Sequence, residues 1–365
     1  MSAGGVETVI VNTLKGINYN KFDVTLFILY KTPEEEQNIK RIPHNVKIKY
    51  LFNNRPPGYF QRVLYYCLML LPPILTSKVL VREKYESIIT TKDVFTYPVS
   101  AKKCQKIMWI HNGLEYLNSE DSSLFNKLKN MYKKIRYRKF EKIIFLTNSA
   151  KNNFYGKFNI KSKSYVLPNP INTKRIEELS RKTINDYVFD EKLTIICSSR
   201  LSIEKGIERL LITCKRLLEE GYDFRLLIIG DGPQKQKLFD IISLHPLLKK
   251  NTTLMGFKNN PFKYMFKSNL YISPSFTEGY SLSIAEAIVL GLPILSTDCA
   301  GPSELLNHGE YGMIVENNSD GIYKGLKQLL SNPQLLEKYK RKSESRIDFF
   351  NYETNIRLFE NIISD

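Results

Sequence analysis

The chain has 365 residues, enough for two domains, and its composition of 42% hydrophobic and 25% charged residues excludes a disordered or collagen-like protein. Five scattered cysteines without a CxxC pair and four histidines without paired spacing argue against a disulfide framework and a metal site, and they favour a reducing cytoplasm. The net charge is +17, and residues 1–175 hold the whole excess, with 30 Lys and Arg against 12 Asp and Glu, which favours an anionic partner.

The first half of the sequence predicts alternating strands and helices. The predicted helices cover residues 5–14, 60–71, 124–140 and 149–155, and the predicted strands cover 23–29, 46–50, 87–90, 106–110, 142–146 and 164–167. The chain opens at a glycine-rich turn, without the strand that normally feeds such a turn in a doubly wound domain. That strand would lie in the middle of the sheet, so we expect a chain start that was assigned too late or cut.

The second half shows the same alternation more clearly. Short β-branched runs such as LTIICS at 193–198 are typical of buried parallel strands, and further strands are predicted at 224–229, 252–255, 270–273, 293–296 and 312–315. Helices are predicted at 204–220, 234–243, 261–267, 283–290, 319–331 and 333–346, with a short turn at 304–306. Ligands of such a domain bind at the carboxyl ends of its strands.

The alternation predicts an α/β protein of two Rossmann-like, doubly wound domains. The polar stretch 172–190 is the expected boundary, which gives an N-terminal domain of residues 1–175 and a C-terminal domain of residues 176–350. Residues 351–365 are predicted to form a terminal helix. The longest apolar stretch, 63–75, is shorter than the roughly 20 residues that span a bilayer. We interpret it as a buried helix, with insertion into a membrane interface as the alternative.

Two glutamates, Glu278 and Glu286, lie in PSFTEGYSLSIAEA, where a strand is followed by a glycine-bearing loop and a helix. The free N–H groups of such a helix N-terminus bind oxyanions and hydroxyls. Glu278 in the loop can accept hydrogen bonds from sugar hydroxyls, and Glu286 can bind a ribose if it faces the same side. The alternative is a loop carboxylate and a helix-surface carboxylate without a ligand.

Two cations, Arg200 and Lys205, follow the end of a predicted strand and precede a helix. Fixed cations beside a helix N-terminus suit a diphosphate, and they stabilise the negative charge that grows as a diphosphate leaves. The alternative is a solvated lysine and an arginine that pairs with Glu204 or Glu208.

The first half offers two weaker candidates. Gly4 and Gly5 open a predicted helix, and glycines let a backbone approach a phosphate or sugar closely. His111 ends an apolar strand, where ligand-facing residues collect in such sheets, and it can hydrogen-bond a sugar hydroxyl or cap its own loop.

A basic stretch at 127–142 predicts a helix with one core face and one cationic face. The apolar residues at helical spacing are Leu128, Met131, Tyr132, Ile135 and Phe140. The basic residues are Lys127, Lys129, Lys133, Lys134, Arg136, Arg138, Lys139 and Lys142. The cationic face is expected to meet anionic lipid head groups or a lipid-linked diphosphate, with an RNA-binding surface or a solvated face as alternatives.

Taken together, these segments resemble the large retaining glycosyltransferase family of GT-B fold known as the glycosyl transferases group 1, which includes many enzymes of bacterial polysaccharide and lipid-sugar synthesis. The matching segments, which run in the family's order over nearly the whole chain, are SAGGVE at 2–7, WIHN at 109–112, SRLSIEKG at 199–206, IIGDGP at 228–233, LMGF at 254–257 and SPSFTEGYSLSIAEAIVLGLPILSTDCAGPSEL at 273–305. The last segment carries the family's E-x7-E pattern as Glu278 and Glu286.

The resemblance implies two domains that face across a cleft, with the acceptor on the first, the nucleotide sugar on the second, and a last helix that crosses back to the first. It implies a UDP-sugar as donor, with GDP as second choice, no essential metal, and front-side displacement with retained anomeric configuration. The implied donor-site residues are Gly4, Gly5, Arg200, Lys205, Gly256, Phe257, Tyr280, Ser281, Leu282 and Glu286. The implied catalytic residues are Glu278, His111, Lys205 and Arg200.

One departure from the family pattern lies in the sugar-contacting loop, where Ser281 stands at a position that often holds Gly or Pro, and this leaves the sugar open. Two other classes of function remain as alternatives. One is a nucleotide-sugar epimerase, hydrolase or phosphorylase of the same fold, which would act without a sugar acceptor. The other is a basic RNA-binding protein.

Overall fold

The structure is a computed structural model that describes residues 5–31, 39–52, 58, 71–114 and 124–365, with residues 124 and 125 described by their backbone alone. The chain divides into two compact units. The first unit comprises residues 1–170 and 352–365, and the second comprises residues 171–351. Both are α/β units in which every strand pairing is parallel.

The described part of the first unit contains two parallel sheets. Its strands are β1 (Thr25–Tyr30), β2 (Lys47–Phe52), β3 (Ser87–Thr90), β4 (Gln105–Ile110), β5 (Lys142–Phe145) and β6 (Lys163–Val166). Strand β1 pairs with β2, and the other strands form a separate sheet in the order β3-β4-β5-β6. Its helices are α1 (Gly5–Gly16), α2 (Pro73–Leu80), α3 (Asp93–Val99), α4 (Leu124–Tyr137), α5 (Asn148–Lys157) and the terminal helix α15 (Tyr352–Ser364).

Strands β4 and β5 form the centre of the first unit's core. Ile107, Ile143 and Phe145 are fully buried, and Phe145 contacts the ring of Phe154 on α5 with 5.4 Å between centroids. The terminal helix packs on the same sheet, because Phe359 stacks on Trp109 at 4.8 Å. The last helix of the chain is thus part of the core of the first unit.

The second unit is built on one six-stranded parallel sheet. Its strands are β7 (Leu193–Ser198), β8 (Phe224–Ile229), β9 (Thr252–Gly256), β10 (Leu270–Ser273), β11 (Ile294–Thr297) and β12 (Met313–Val315), in the order β12-β11-β10-β7-β8-β9. Its helices are α6 (Thr173–Ser180), α7 (Ile207–Glu219), α8 (Lys235–Leu244), α9 (Pro246–Asn251), α10 (Phe262–Lys267), α11 (Leu282–Val289), α12 (Ala300–Leu305), α13 (Ser319–Ser331) and α14 (Pro333–Ser345). Strands β7 and β8 are short and largely apolar, and most of their residues are buried, as expected for strands inside a parallel sheet.

Several helices differ from those that the sequence predicts. The helix expected over 204–220 is interrupted, because a 3-10 turn (Ile203–Lys205) ends at Gly206 in the left-handed conformation before α7 begins. The turn expected at 304–306 is the end of α12. Four short helices, α2, α3, α6 and α9, lie where the sequence pattern predicts none. The helix expected over 60–71 falls almost wholly outside the described residues.

Candidate functional site

The predicted donor-site residues of the second unit lie beyond the carboxyl ends of neighbouring strands. Arg200 and Lys205 follow β7, Phe257 follows β9, and Glu278 follows β10, while Glu286 lies on α11. Strands β9, β8, β7 and β10 are consecutive in the sheet, so their following loops share one edge of the unit. This is the edge where a doubly wound sheet binds its ligands.

The structure brings Lys205 and Glu278 together as an ion pair. The Lys205 ammonium donates to the Glu278 carboxylate, although the two residues are 73 positions apart. Their side chains are 22% and 14% exposed, so the pair is partly shielded from water. The two groups that the sequence assigns to a diphosphate and to a sugar are therefore neighbours.

Arg200 lies on the same edge with its side chain exposed. It has no ion-pair partner within 4 Å among the residues that the structure describes. Glu204 instead accepts a hydrogen bond from Ser202, and Glu208 pairs with Lys237 at 2.6 Å. Arg200 thus forms no direct ion pair with either glutamate among the described residues. The pKa of Glu204 is lowered first by its hydrogen bond from Ser202 and in smaller part by the charge of Arg200, whose guanidinium is exposed and can contact an anion.

The amino end of α11 presents unpaired backbone donors next to Glu278. Ser281 is the N-cap residue, and its hydroxyl accepts from the N–H of Ile284 at 3.3 Å. Within the described chain, the N–H groups of Tyr280, Ser281 and Leu282 have no acceptor. The helix dipole adds partial positive charge at this end, so the position favours sugar hydroxyls and phosphate oxygens.

Glu286 lies on α11, about one and a half helical turns after the N-cap residue Ser281, and is partly buried. Burial raises its pKa to about 8, so a large share of its carboxyl groups are protonated at neutral pH. Tyr271 on β10 has a pKa well above its ordinary value, first because it is buried, and both Glu286 and Glu278 add to the shift. Both carboxylates therefore lie within electrostatic range of the Tyr271 hydroxyl.

The loop after β9 offers an exposed aromatic ring. Gly256 adopts φ +66°, with open space where a side chain would begin, and its carbonyl accepts from the N–H of Gly230 at 2.9 Å. Phe257 follows with 53% of its side chain exposed. An exposed ring at this edge has the geometry to stack on a flat base.

In the first unit, His111 follows β4 and is held in its neutral form. Burial lowers its pKa to about 3, and both ring nitrogens lack a hydrogen-bond partner among the described residues. Its ring stacks on Trp109 with 4.6 Å between centroids. Gly5 begins α1, and Gly4 lies outside the described residues.

The apolar face predicted for the basic stretch is largely exposed. On α4, the exposed fractions are 52% for Leu128, 55% for Met131, 44% for Tyr132 and 50% for Ile135, whereas Phe140 beyond the helix is buried. The prediction of a buried apolar face is therefore wrong for the four helix residues. Helical spacing shows which residues share a face, but it does not show which face is inside.

The predicted cationic face is also only partly correct. Arg136 is 5% exposed and pairs with Asp93 of α3 at 2.8 Å, and Lys133 contacts the same carboxylate at 3.5 Å. Burial would raise the pKa of Asp93, but Arg136, the Tyr137 hydroxyl and Lys133 bring it below its ordinary value. The ion pairs of Arg136 and Lys133 with Asp93 therefore attach α4 to α3. Lys127, Lys129, Arg138 and Lys139 stay exposed and Lys134 half-buried.

One residue of this edge was missed by the sequence analysis. Arg209 on α7 is 6% exposed, and its guanidinium donates to the carbonyls of Pro274 and Ser275 in the loop that leads to Glu278. A signal exists in the sequence, because Arg209 shares the buried stripe of α7 with Thr213 and Leu217 at four-residue spacing.

Within the described ranges, no group of three or more His, Cys, Asp and Glu side chains has the arrangement of a metal site. No helix there is long and apolar enough to cross a membrane.

The parallel sheets and the helices that connect their strands define an α/β protein of the doubly wound class. Family models agree at a finer level: the model for "Glycosyl transferases group 1" matches residues 180–346, and that for "Glycosyltransferase Family 4" matches residues 3–175. The chain belongs to the group 1 glycosyltransferases, as the quoted segments predicted.

Two relatives illustrate the distance within the family. An uncharacterized glycosyltransferase of Methanocaldococcus jannaschii is 29% identical over 58% of this chain and 55% of its own length. A 4-alpha-N-acetylgalactosaminyltransferase of Campylobacter jejuni, which acts on N-acetylgalactosamine-N,N'-diacetylbacillosaminyl-diphospho-undecaprenol, is 29% identical over 64% of this chain and 62% of its own length. The chain thus spans little more than half the length of these relatives.

Solved structures match the whole chain. Anabaena HepE in complex with UDP gives a TM-score of 0.73 at 13% identity, covering 99% of this chain and 96% of that one. Sucrose-phosphate synthase from Thermosynechococcus elongatus gives 0.77 at 14% identity, with 99% and 93% covered. The predicted GT-B fold is confirmed.

Proposed function

We propose that this chain is a retaining glycosyltransferase that moves a sugar from a nucleoside-diphosphate sugar, with UDP as the favoured nucleotide, to a hydroxyl of a glycan or lipid-linked oligosaccharide. The observation that carries the proposal is the Lys205–Glu278 pair beside the unpaired N–H groups of α11. Solved neighbours of the same fold with bound UDP support the choice of nucleotide. The relative acting on a diphospho-undecaprenol sugar supports the acceptor class.

The proposed mechanism assigns each group at this edge a role by its chemistry. Arg200, Lys205 and the α11 N-terminus bind the diphosphate and stabilise the charge that develops on it as it leaves. Glu278 and the N–H groups of Tyr280, Ser281 and Leu282 bind hydroxyls of the transferred sugar. Phosphate oxygen takes the proton of the attacking hydroxyl, so Glu278 is a binding group and not a nucleophile, and the anomeric configuration is retained.

The remaining predicted residues hold the nucleotide and the reacting sugar. Glu286 binds the ribose hydroxyls, and Gly256 and Phe257 lie by the base. In the first unit, Gly4 and Gly5 approach the phosphates, and His111 acts as a neutral hydrogen-bond partner of the sugar. The cations and the helix N-terminus supply the positive charge that a divalent metal provides in other transferases, so the reaction is proposed to need no metal.

The proposed setting is bacterial surface-polysaccharide synthesis at the inner face of the cell membrane. Relatives named for amylovoran and capsular polysaccharide biosynthesis support this setting. The exposed apolar residues of α4 and its exposed lysines support an anionic membrane surface as a partner, since interfacial helices combine these two features.

The first test is calorimetric titration of UDP and of GDP into the protein with EDTA present, followed by transfer assays. Micromolar binding of one nucleotide that EDTA leaves unchanged is expected. Lys205→Ala and Glu278→Ala should each lower turnover by about 10²–10⁴-fold, the range for one preorganised transition-state contact. Lys215→Ala is the matched control, because Lys215 pairs with Glu219 on the outer face of α7.

Full turnover in either site variant would contradict the proposal. Hydrolysis or epimerisation of a nucleotide sugar without an acceptor would identify a different nucleotide-sugar enzyme. Tight, salt-sensitive RNA binding that both site variants retain, with no nucleotide binding, would instead support the RNA-binding alternative.

A further inference from the structure

Arg209 is a buried cation whose partners are all neutral. Its Nε and Nη2 donate to the Pro274 carbonyl at 2.9 and 2.7 Å, and Nη2 also donates to the Ser275 carbonyl at 2.8 Å. No carboxylate pairs with it within the described part of the chain. Burying an unpaired charge is costly, so this guanidinium persists because several hydrogen bonds replace its water.

Asn317 completes a clamp on the same loop. Its side-chain oxygen accepts from Arg209 Nη2 at 2.7 Å, and its Nδ2 donates to the Phe276 carbonyl at 2.8 Å. Three consecutive carbonyls, those of residues 274–276, are therefore held by two side chains from elements distant in sequence. The Arg209 guanidinium also lies over the Phe276 ring, 3.9 Å from its centroid.

The same loop is tied directly to the turn that carries Lys205. The Phe276 N–H donates to the Glu204 carbonyl at 2.8 Å. Gly206, at φ +64°, lies so close to the loop that a Cβ there would be 2.0 Å from the Pro274 oxygen. Glu278 is two residues beyond Phe276, and its own carbonyl accepts from Gly301 at 3.0 Å. The clamp therefore sets the position of the Glu278 backbone relative to Lys205.

We propose that Arg209 and Asn317 are positioning residues of the transfer reaction, which hold residues 274–276 so that Glu278 stays beside Lys205. This inference rests on the proposed function. Neither side chain needs to touch the nucleotide sugar, because each acts through the loop backbone. The planar guanidinium matters more than the charge, since only a fork of donors reaches two carbonyls and one amide at once.

The test compares Arg209→Lys, Arg209→Ala and Asn317→Ala with a matched control, Arg216→Lys. Arg216 lies on the outer face of the same helix and pairs with Glu220. Turnover should fall by about 10–100-fold in Arg209→Lys and Asn317→Ala, because small misplacements of a catalytic group have effects of this size. The Kd of UDP should change by less than about threefold, since the diphosphate is bound by Arg200, Lys205 and α11. Guanidinium ion at non-denaturing concentration should restore part of the turnover of Arg209→Ala and none of that of Lys205→Ala.

A second readout is independent of catalysis. Backbone hydrogen exchange of residues 275–279 should rise several-fold in both Arg209→Lys and Asn317→Ala, while exchange in α13 and in Arg216→Lys stays at the wild-type level. Unchanged loop exchange would overturn the inference, and so would faster loop exchange with normal turnover. Failure of the proposed function would look different, because the wild type itself would then neither bind UDP nor transfer a sugar. If Arg209→Ala does not fold, the turnover and the loop exchange of Asn317→Ala still test the inference.

Discussion

Under the proposed ribose assignment, Glu286 is the residue whose ionisation is expected to affect donor binding. Its pKa of about 8 follows from burial, since no neighbouring cation offsets the loss of water around the carboxylate. A carboxylate accepts two hydrogen bonds from a ribose, whereas a protonated carboxyl accepts less strongly and must donate its own proton. Nucleotide binding at neutral pH is therefore expected to release a proton from this group.

The affinity for UDP should increase by about tenfold between pH 7 and pH 9. If only the ionised form of Glu286 binds, its population grows from about one tenth to about nine tenths across a pKa of about 8. Titration calorimetry at several pH values, in buffers of different ionisation enthalpy, measures both the affinity and the proton release. Glu286→Gln should remove the dependence, and a flat wild-type profile would contradict the ribose assignment.

At the residue scale, the sequence predicts the groups that lie in a recognisable strand–loop–helix pattern. Lys205 and Glu278 are of this kind, since each stands directly after a buried apolar strand. The buried stripe of α7 indicates that Arg209 faces inward, but the sequence does not show what Arg209 or Asn317 contacts. Their partners are backbone carbonyls of a loop 65 or 41 positions away, which carry no side-chain signal. The exposure of α4 was missed because a pattern of apolar spacing is the same for a buried and for a surface face.

Among the elements, the junction between the 3-10 turn at Lys205 and α7 depends on one glycine. Gly206 combines a left-handed φ with close approach to the Pro274 carbonyl, and both conditions exclude a side chain. Gly221 provides a comparison, because it has φ +92° but open space around its Cα. A side chain at residue 221 would meet backbone strain alone, whereas a side chain at residue 206 would also clash with the Pro274 carbonyl.

Gly206→Ala should lower the free energy of unfolding of the second unit by about 3 kcal/mol, and Gly221→Ala by about 1 kcal/mol. The difference measures the cost of moving the loop at Pro274 away from the turn. Urea unfolding followed by circular dichroism gives both values on the purified protein. Equal values for the two variants would mean that the loop at Pro274 moves away from residue 206 without a cost in free energy.

Most strands could be predicted to within one or two residues, because buried parallel strands are short β-branched runs. The short helices could not be predicted by apolar periodicity over so few turns. Helix α3 carries Pro98 in its last turn. Helix α6 lies in a polar stretch, and its only sequence signal is the N-cap Asn172, whose side chain accepts from Arg175 N–H at 2.9 Å.

For the whole molecule, the relevant asymmetry is one of charge, and two helices of the basic half also expose rows of apolar side chains. Helix α2 exposes Ile74, Leu75 and Val79, with exposed fractions of 62%, 49% and 60%, and α4 exposes its own apolar row. Both helices contact α3, so the two apolar rows lie on helices that share a neighbour in the first unit. A charged lipid surface interacts with both features.

The protein should sediment with vesicles that contain phosphatidylglycerol and remain in solution with vesicles of phosphatidylcholine alone. Ile135→Glu should weaken the association several-fold, because it places a charge in the apolar row, and 0.5 M salt should weaken it further by screening. Ile212→Glu is the control, since Ile212 is 56% exposed on α7 of the second unit. Equal binding of Ile135→Glu and Ile212→Glu would contradict the assigned surface.

The separation of β1–β2 from β3–β6 has a further consequence for how this protein behaves in solution. Among the described strands, two sheets leave four outer rows of peptide groups in the first unit, whereas the single sheet of the second unit leaves two. Unpaired rows of N–H and C=O groups are templates for extended chain segments, including those of another copy of the same molecule. Among the described strands, the first unit therefore presents more outer backbone for such pairing than the second, and its positive charge opposes the approach of another copy.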